Sequence, residues 1–216
     1  MKKAQIEALR EKYIVPILRQ SDMDENVFDQ FMDWFRLAVE AEVPEPNAMT
    51  LATVNHAGMP SARTVLFKSL TDRNGFSFYT NYESNKARDL KVNPFGSLLF
   101  CWLPLARQIR IEGMIRKVPI SESQQYFHSR PRGSQIGAWV SQQSEKIESR
   151  SVLENKQAEL EAKFKDTDVI PLPLNWGGYE LIPNKIEFWQ GNENRLHDRF
   201  LYEVYEDSWS ISRLSP

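Results

Sequence analysis

The sequence predicts a mainly β protein: an antiparallel barrel with helices flanking it. Three observations carry this. Period-two runs separated by short turn signals occur on both sides of a helical middle. Glycine fingerprints of a parallel nucleotide-binding sheet are missing, since Trp176-Gly177-Gly178 and Gly191 lie between late strands. Strands that precede and follow the middle helices most simply share one sheet, which makes residues 21–216 a single domain.

Residues 3–19 place Ile6, Leu9 and Tyr13 at helical spacing until Pro16 ends or bends the helix, so 1–20 reads as a separate helical segment. From 24 to 41, Phe28, Phe31, Met32, Phe35 and Val39 form one apolar stripe, capped by Asp22 or Asp24 and closed by Pro44 and Pro46. The period then becomes two. Runs 49–54, 62–70 and 76–80 read as successive strands, separated by turns at His56-Ala57-Gly58 and Asp72-Arg73-Asn74-Gly75. Ser84 caps a helix bearing Lys86, Arg88 and Lys91, which Asn93-Pro94 breaks. Strands 96–103 and 107–118 follow, the second with Gln108 and Arg110 on one face and Ile109 and Ile111 on the other. Ser121-Glu122-Ser123-Gln124 has the form of a capping box for a helix through Tyr126 and Phe127. That helix stops before Pro131, which sits in the first turn of another containing Ile136 and Trp139. Residues 149–164 form a charged surface helix anchored by Leu153, Leu160 and Phe164. Beyond Pro171-Leu172-Pro173, strands are expected at 179–182, 186–189, 199–205 and 209–214.

Composition narrows the function classes. With 26% charged and 41% hydrophobic residues the chain is an ordinary globular protein. Its net charge of −2 provides no basic field for nucleic acid, so any anion site must be local. Cys101 is the only cysteine, which excludes an intrachain disulfide and fits a reducing compartment. His56, His128 and His197 lack metal-ligand spacing, and no metal is expected. Residues 1–7 turn acidic without the apolar core of a signal peptide, and no run approaches a membrane span; a cytoplasmic location is expected. A serine hydrolase finds no GxSxG.

Three clusters could carry chemistry. In Arg195-Leu196-His197-Asp198-Arg199, a strand would turn two guanidinium groups and an imidazole to one face, where a ligand could meet them. Surface arginines paired with Glu193 and Asp198, or a histidine bonded within a turn, are the plain alternatives. Tyr126, Arg130, Arg132 and Ser134 surround Pro131, mixing hydroxyls, cations and a helix start as a phosphate monoester requires; a basic surface is the alternative. Arg63, Lys68, Tyr79, Thr80 and Lys86 come from adjacent strands and the following helix. Strict alternation sets Arg63 and Lys68 on opposite faces, so both meet one ligand only through a bulge or a strand end. Trp189, next to the Arg195 cluster, is the aromatic residue best placed for a cofactor ring.

At these clusters the sequence resembles the pyridoxamine 5′-phosphate oxidase family. The matching stretches are Arg63-Thr64-Val65-Leu66-Phe67-Lys68, Phe78-Tyr79-Thr80-Asn81, Arg107-Gln108-Ile109-Arg110-Ile111-Glu112-Gly113, the run 126–139 containing Ser129-Arg130-Pro131-Arg132-Gly133-Ser134, and Ile186-Glu187-Phe188-Trp189-Gln190-Gly191 continuing to Arg195-Leu196-His197-Asp198-Arg199-Phe200. The resemblance implies an FMN-binding split barrel working as a homodimer, with FMN at the subunit interface. It implies FMN contacts from Arg63, Lys68, Tyr79, Thr80, Lys86, Gln108, Gln143, Ser144, Trp189 and Arg199. It implies that Lys68, Tyr126, Arg130, Ser134, Arg195 and His197 bind the phosphorylated substrate, with Arg195 and His197 positioning its reacting end. Arg10 and Tyr13 match residues that fold over the occupied site, which would make 1–20 a lid. The implied reaction oxidises pyridoxamine or pyridoxine 5′-phosphate with O2 to pyridoxal 5′-phosphate and hydrogen peroxide.

Two positions depart from the family pattern. Ser84-Asn85-Lys86 stands where the family has Ser-Arg-Lys, which removes one cation from the FMN phosphate; Arg88, one turn later, is the candidate replacement. Ile14-Val15-Pro16 stands where relatives contain glycine, which bears on the lid. Rival readings are a split-barrel FMN oxidoreductase with another substrate and a non-catalytic carrier of pyridoxal phosphate.

Overall fold

The computed structural model describes residues 15–216. Of the expected first helix, positions 3–14 lie outside the described residues, and 15–19 are not helical; a short 3-10 turn follows at Gln20–Asp22. Chain contacts divide into two compact units. One comprises the chain up to Ala48 with Leu99–Ile111 and Asn184–Pro216, the other Met49–Leu98 with Glu112–Pro183. Eight strands form the sheet: β1 (Ala48–Val54), β2 (Pro60–Leu66), β3 (Phe76–Asn81), β4 (Phe95–Trp102), β5 (Arg107–Lys117), β6 (Trp176–Gln190), β7 (Asp198–Tyr205) and β8 (Ser208–Arg213). Their hydrogen-bonded order is β2-β1-β4-β5-β6-β7-β8, with β3 paired to β6 off this path. The registers of β3 with β6, β6 with β7 and β7 with β8 are antiparallel, as the alternation predicts.

In the first unit α1 (Val27–Glu40) is capped by Asn26, whose side chain accepts from the Phe28 N–H; neither Asp22 nor Asp24 is the cap. Its buried face is Val27, Gln30, Phe31, Trp34 and Ala38, while Met32 and Val39 of the expected stripe are exposed. Aromatic packing selects that face: Phe31 meets Phe100 at 5.2 Å and Trp34 meets Phe188 edge-on at 5.2 Å. Gln30 tolerates burial because its Oε1 accepts from the Asp24 N–H at 2.7 Å.

In the second unit α2 (Asn85–Val92) starts after Ser84, and α3 (Ile120–Ser129) and α4 (Arg132–Val140) flank Pro131. The expected capping box does not form. Pro119 opens α3 two residues before Ser121, with φ −51° and ψ 147° and no side-chain cap. Ser123 instead turns inward, its Oγ accepting from the Gly178 N–H at 3.0 Å. Pro131 precedes α4 at the cap rather than lying inside its first turn. Helix α5 (Arg150–Lys163) buries Leu160, and Phe164 follows it into a core of Phe127, Ile136, Val140, Ile170 and Trp176. The two strands expected at 179–182 and 186–189 are one, β6. Within this unit Gly113 of β5 faces the Ile182 carbonyl so closely that a Cβ there would lie 2.0 Å from its oxygen.

Candidate active site

The second unit contains a cleft of about 490 Å³ lined by Leu66, Lys68, Tyr79, Thr80, Tyr126, Arg130, Ser134, Gln143 and Trp176 among others. Lys68 reaches it through an irregularity past the end of β2. Its N–H donates to the Ser77 carbonyl, whereas the Ser77 N–H donates to the Ser69 carbonyl, both at 3.0 Å, so two residues oppose one as in a bulge. Tyr79 stacks on Tyr126 with centroids 3.9 Å apart, and Trp176 stacks on Tyr79 at 5.5 Å. Burial pushes the Tyr79 hydroxyl up to about 12, with the Glu122 carboxylate adding to the effect, so it remains a protonated donor.

Two cations, Arg130 in this wall and Lys86 behind its Thr80 and Gln143, lack anionic partners among the described residues. The Arg130 guanidinium lies over the Trp176 ring at 4.8 Å, and burial lowers its pKa. Its Nη1 is the one buried side-chain polar atom without a hydrogen-bond partner among the described residues. Lys86 is buried at the start of α2. Its Nζ donates to Gln143 Oε1 at 2.7 Å, Thr80 Oγ1 at 3.2 Å and Ser84 Oγ at 3.4 Å, all neutral oxygens. Burial, followed by the nearby Arg63 charge, depresses Lys86 to about 8. Unsatisfied donors and a destabilised ammonium are what a bound phosphate would satisfy, and the residues present fit phosphorylated ligands.

Arg63 and Arg132 do not line the cleft. Arg63 donates to Thr53 Oγ1 at 2.6 Å and lies 3.8 Å from Asp89, while Arg132 ties the carbonyls of Phe164 and Thr167 past α5. Ser144 accepts from the Asn85 N–H at 3.2 Å, and Arg88 pairs with Glu145 and reaches Asn85 Oδ1 at 3.4 Å.

Gln108, Trp189, Arg195, His197 and Arg199 belong to the other unit. Arg195 and His197 are not on a strand as expected. A 3-10 turn occupies Glu193–Arg195, with Asn194 at φ 54° and Arg195 at φ 63°, and β7 begins only at Asp198. His197 packs against Trp189 with ring centroids 4.7 Å apart and planes tilted by 46°, and burial, then the Arg195 charge, lowers its pKa. Arg199 is on β7 opposite Trp189 and donates to Glu187 Oε1 at 2.7 Å, while Arg110 donates to Glu187 Oε2 at 2.6 Å. Arg10 and Tyr13 lie outside the described residues. Sequence reasoning missed Trp176 and Glu187. Trp176 is 46 residues from Arg130, and Glu187 joins Arg110, 77 residues away, to Arg199 on the next strand, so neither role can be read from its immediate neighbours.

Comparison with known proteins places this geometry. The family profile described as "Pyridoxamine 5′-phosphate oxidase" matches residues 35–164, and "Pyridoxine 5′-phosphate oxidase C-terminal dimerisation region" matches 176–216. A pyridoxine/pyridoxamine 5′-phosphate oxidase of Aliarcobacter butzleri is 56% identical over 96% of this chain and 98% of its own. One from Paraburkholderia phytofirmans is 54% identical over 96% and 97%. The crystal structure of PhzG from Burkholderia lata, in complex with tetrahydrophenazine-1-carboxylic acid, is 31% identical with a TM-score of 0.86, over 94% of this chain and 99% of that one. An FMN-binding protein of Nostoc punctiforme shares the fold at 18% identity and TM-score 0.72, over 90% and 100%.

Proposed function

Because the chain belongs to the pyridoxamine 5′-phosphate oxidase family, we propose that it oxidises pyridoxamine and pyridoxine 5′-phosphate with O2 to pyridoxal 5′-phosphate, releasing hydrogen peroxide, and ammonia from the amine. The observation that carries this reading is the orphaned Arg130 Nη1 in a cleft that also presents Lys68, Tyr126 and Ser134. These four clamp the substrate phosphate: Arg130 and Lys68 supply charge, Tyr126 and Ser134 hydroxyl donors. Tyr126 and Trp176 provide the aromatic wall beside it.

Lys86, Thr80, Gln143 and Ser144 would hold the FMN phosphate end, with Arg63 behind Lys86 and Arg88 one turn on from Asn85. When bound, FMN supplies the acceptor for hydride from the substrate's 4′ carbon and passes the electrons to O2. The protein's own task is orientation and exclusion of water. By family resemblance Tyr79, Gln108, Trp189 and Arg199 also contact FMN, while Arg195 and His197 hold the reacting end of the substrate. The match of 176–216 to a dimerisation region supports a homodimer, and the family resemblance adds FMN at its interface. The likeness to PhzG supports a second reading, oxidation of an unphosphorylated polycyclic acid.

Peroxide release from FMN-loaded protein under air separates these. Turnover with pyridoxine 5′-phosphate but not with pyridoxine supports the phosphate clamp; equal rates with both would overturn it.

A further inference from the structure

The turn 191–197 carries two residues read above as substrate-binding and is closed at its ends by the Gln190 and Asp198 pair of β6 and β7. Within it, a buried carboxylate sets the conformation. Asp198, 4% exposed, accepts from Asn192 Nδ2 at 2.5 Å and the Leu18 N–H at 2.8 Å on one oxygen, and from Arg213 Nη1 at 2.5 Å on the other. Burial opposes its charge, but these donors outweigh that and keep the carboxyl below its usual range. Fixed in this way, Asn192 directs its backbone N–H at His197 Nδ1, 3.1 Å away. An N–H can donate only to an unprotonated nitrogen, so this contact makes Nδ1 the acceptor and leaves the proton on Nε2. Trp189, against the same ring, restricts its rotation.

We infer that Asp198 and Asn192 are positioning residues that lock neutral His197 as its Nε2–H tautomer, so that His197 serves as a hydrogen-bond donor to the substrate and not as a proton acceptor. This rests on the reading that His197 faces the substrate. Neither Asp198 nor Asn192 touches the reacting atoms in this account. They act through the turn.

The test uses full-length, FMN-loaded protein labelled with ¹⁵N-histidine. Long-range ¹H–¹⁵N spectra at pH 7.5 report the protonated nitrogen of each ring, and His197→Gln identifies the His197 signals among the three histidines. In the wild type, His197 is expected to show a protonated Nε2 and an acceptor-type Nδ1. Asn192→Ala cuts the tie to Asp198. It is expected to move both shifts toward a tautomer average and to raise KM for pyridoxine 5′-phosphate by roughly 3- to 30-fold, with kcat within about twofold. Asp198→Asn should act in the same direction. A merely structural role would lower the melting temperature without moving the tautomer. A protonated Nδ1 in the wild type, or an Asn192→Ala protein with unchanged tautomer and KM, overturns the inference. If the wild type releases no peroxide with pyridoxine 5′-phosphate, the functional reading fails instead, and the tautomer signal alone decides whether Asn192 and Asp198 set the ring.

Discussion

Replacing Arg130 by methionine should make the ligand-free protein more stable and the enzyme worse. In the free protein the guanidinium is half-buried, with Nη1 lacking a hydrogen-bond partner among the described residues and Cζ over Trp176 at 4.8 Å. An orphaned buried donor costs about 1–3 kcal/mol, and the cation–π contact offsets about 0.5–1 of that. Methionine keeps an apolar stem against Trp176 and removes the orphan, for a net gain of about 1 kcal/mol, or roughly 2–4 °C in Tm for a chain of this length. The phosphate loses charge-assisted bonds worth about 1.5–3 kcal/mol, so kcat/KM should fall roughly 10- to 150-fold. Most of this should appear in KM, because the phosphate is remote from the carbon that reacts. Thermal melts without ligand and steady-state peroxide release from pyridoxine 5′-phosphate give the two readouts. A Tm lowered by several degrees, or a KM within twofold of wild type, would refute the assignment of Arg130 to the phosphate.

Lys86 sets a pH dependence. Its pKa of about 8 in the free protein lies below the ordinary lysine value of 10.5, so between those two pH values the unfolded chain binds more protons and ligand-free stability should rise with pH. A bound phosphate reverses the preference; FMN affinity, measured by quenching of flavin fluorescence, should fall above pH 8, and Lys86→Met should abolish that slope. Glu180, 1% exposed, accepts from Thr71, Arg73 and Arg116. Burial raises its pKa but the bonds from Arg73, Thr71 and Arg116 lower it further, so its stabilisation holds at neutral pH and is lost as pH falls through the depressed value. With both arginines partly in solvent, Glu180→Ala should cost about 2 kcal/mol in denaturant unfolding at pH 7, and progressively less as pH falls below the ordinary carboxylate range. Gly113→Ala would drive a methyl into the Ile182 carbonyl and should give insoluble protein, or a Tm at least about 10 °C lower, on expression beside wild type.

The sheet was legible because its strands alternate: Ile109 and Ile111 are buried on β5 where the pattern puts them. Features set by distant partners were not. The face of α1 is chosen by Phe100 and Phe188, far along the chain, so Trp34 is buried where the sequence favours Met32 and Val39. The 193–197 turn breaks alternation through positive φ at Asn194 and Arg195, a backbone choice that Arg195 does not advertise. At the cleft the segment around Pro131 could be singled out from residue types alone, since Tyr126, Arg130 and Ser134 all line it. Arg132 belongs to the same basic run but serves the end of α5, because a helix start fans neighbouring side chains in different directions. Lys68 lines the cleft beside an irregularity opposite Ser77, but Arg63 does not join it there.

The most direct test of the central claim is an anaerobic visible spectrum of the FMN-loaded protein before and after addition of pyridoxine 5′-phosphate. Bleaching of the flavin band, restored by air with release of hydrogen peroxide, is the result the account predicts. A bound flavin that stays oxidised in the presence of pyridoxine 5′-phosphate and pyridoxamine 5′-phosphate would contradict it, and would point to another substrate or to a carrier of pyridoxal phosphate.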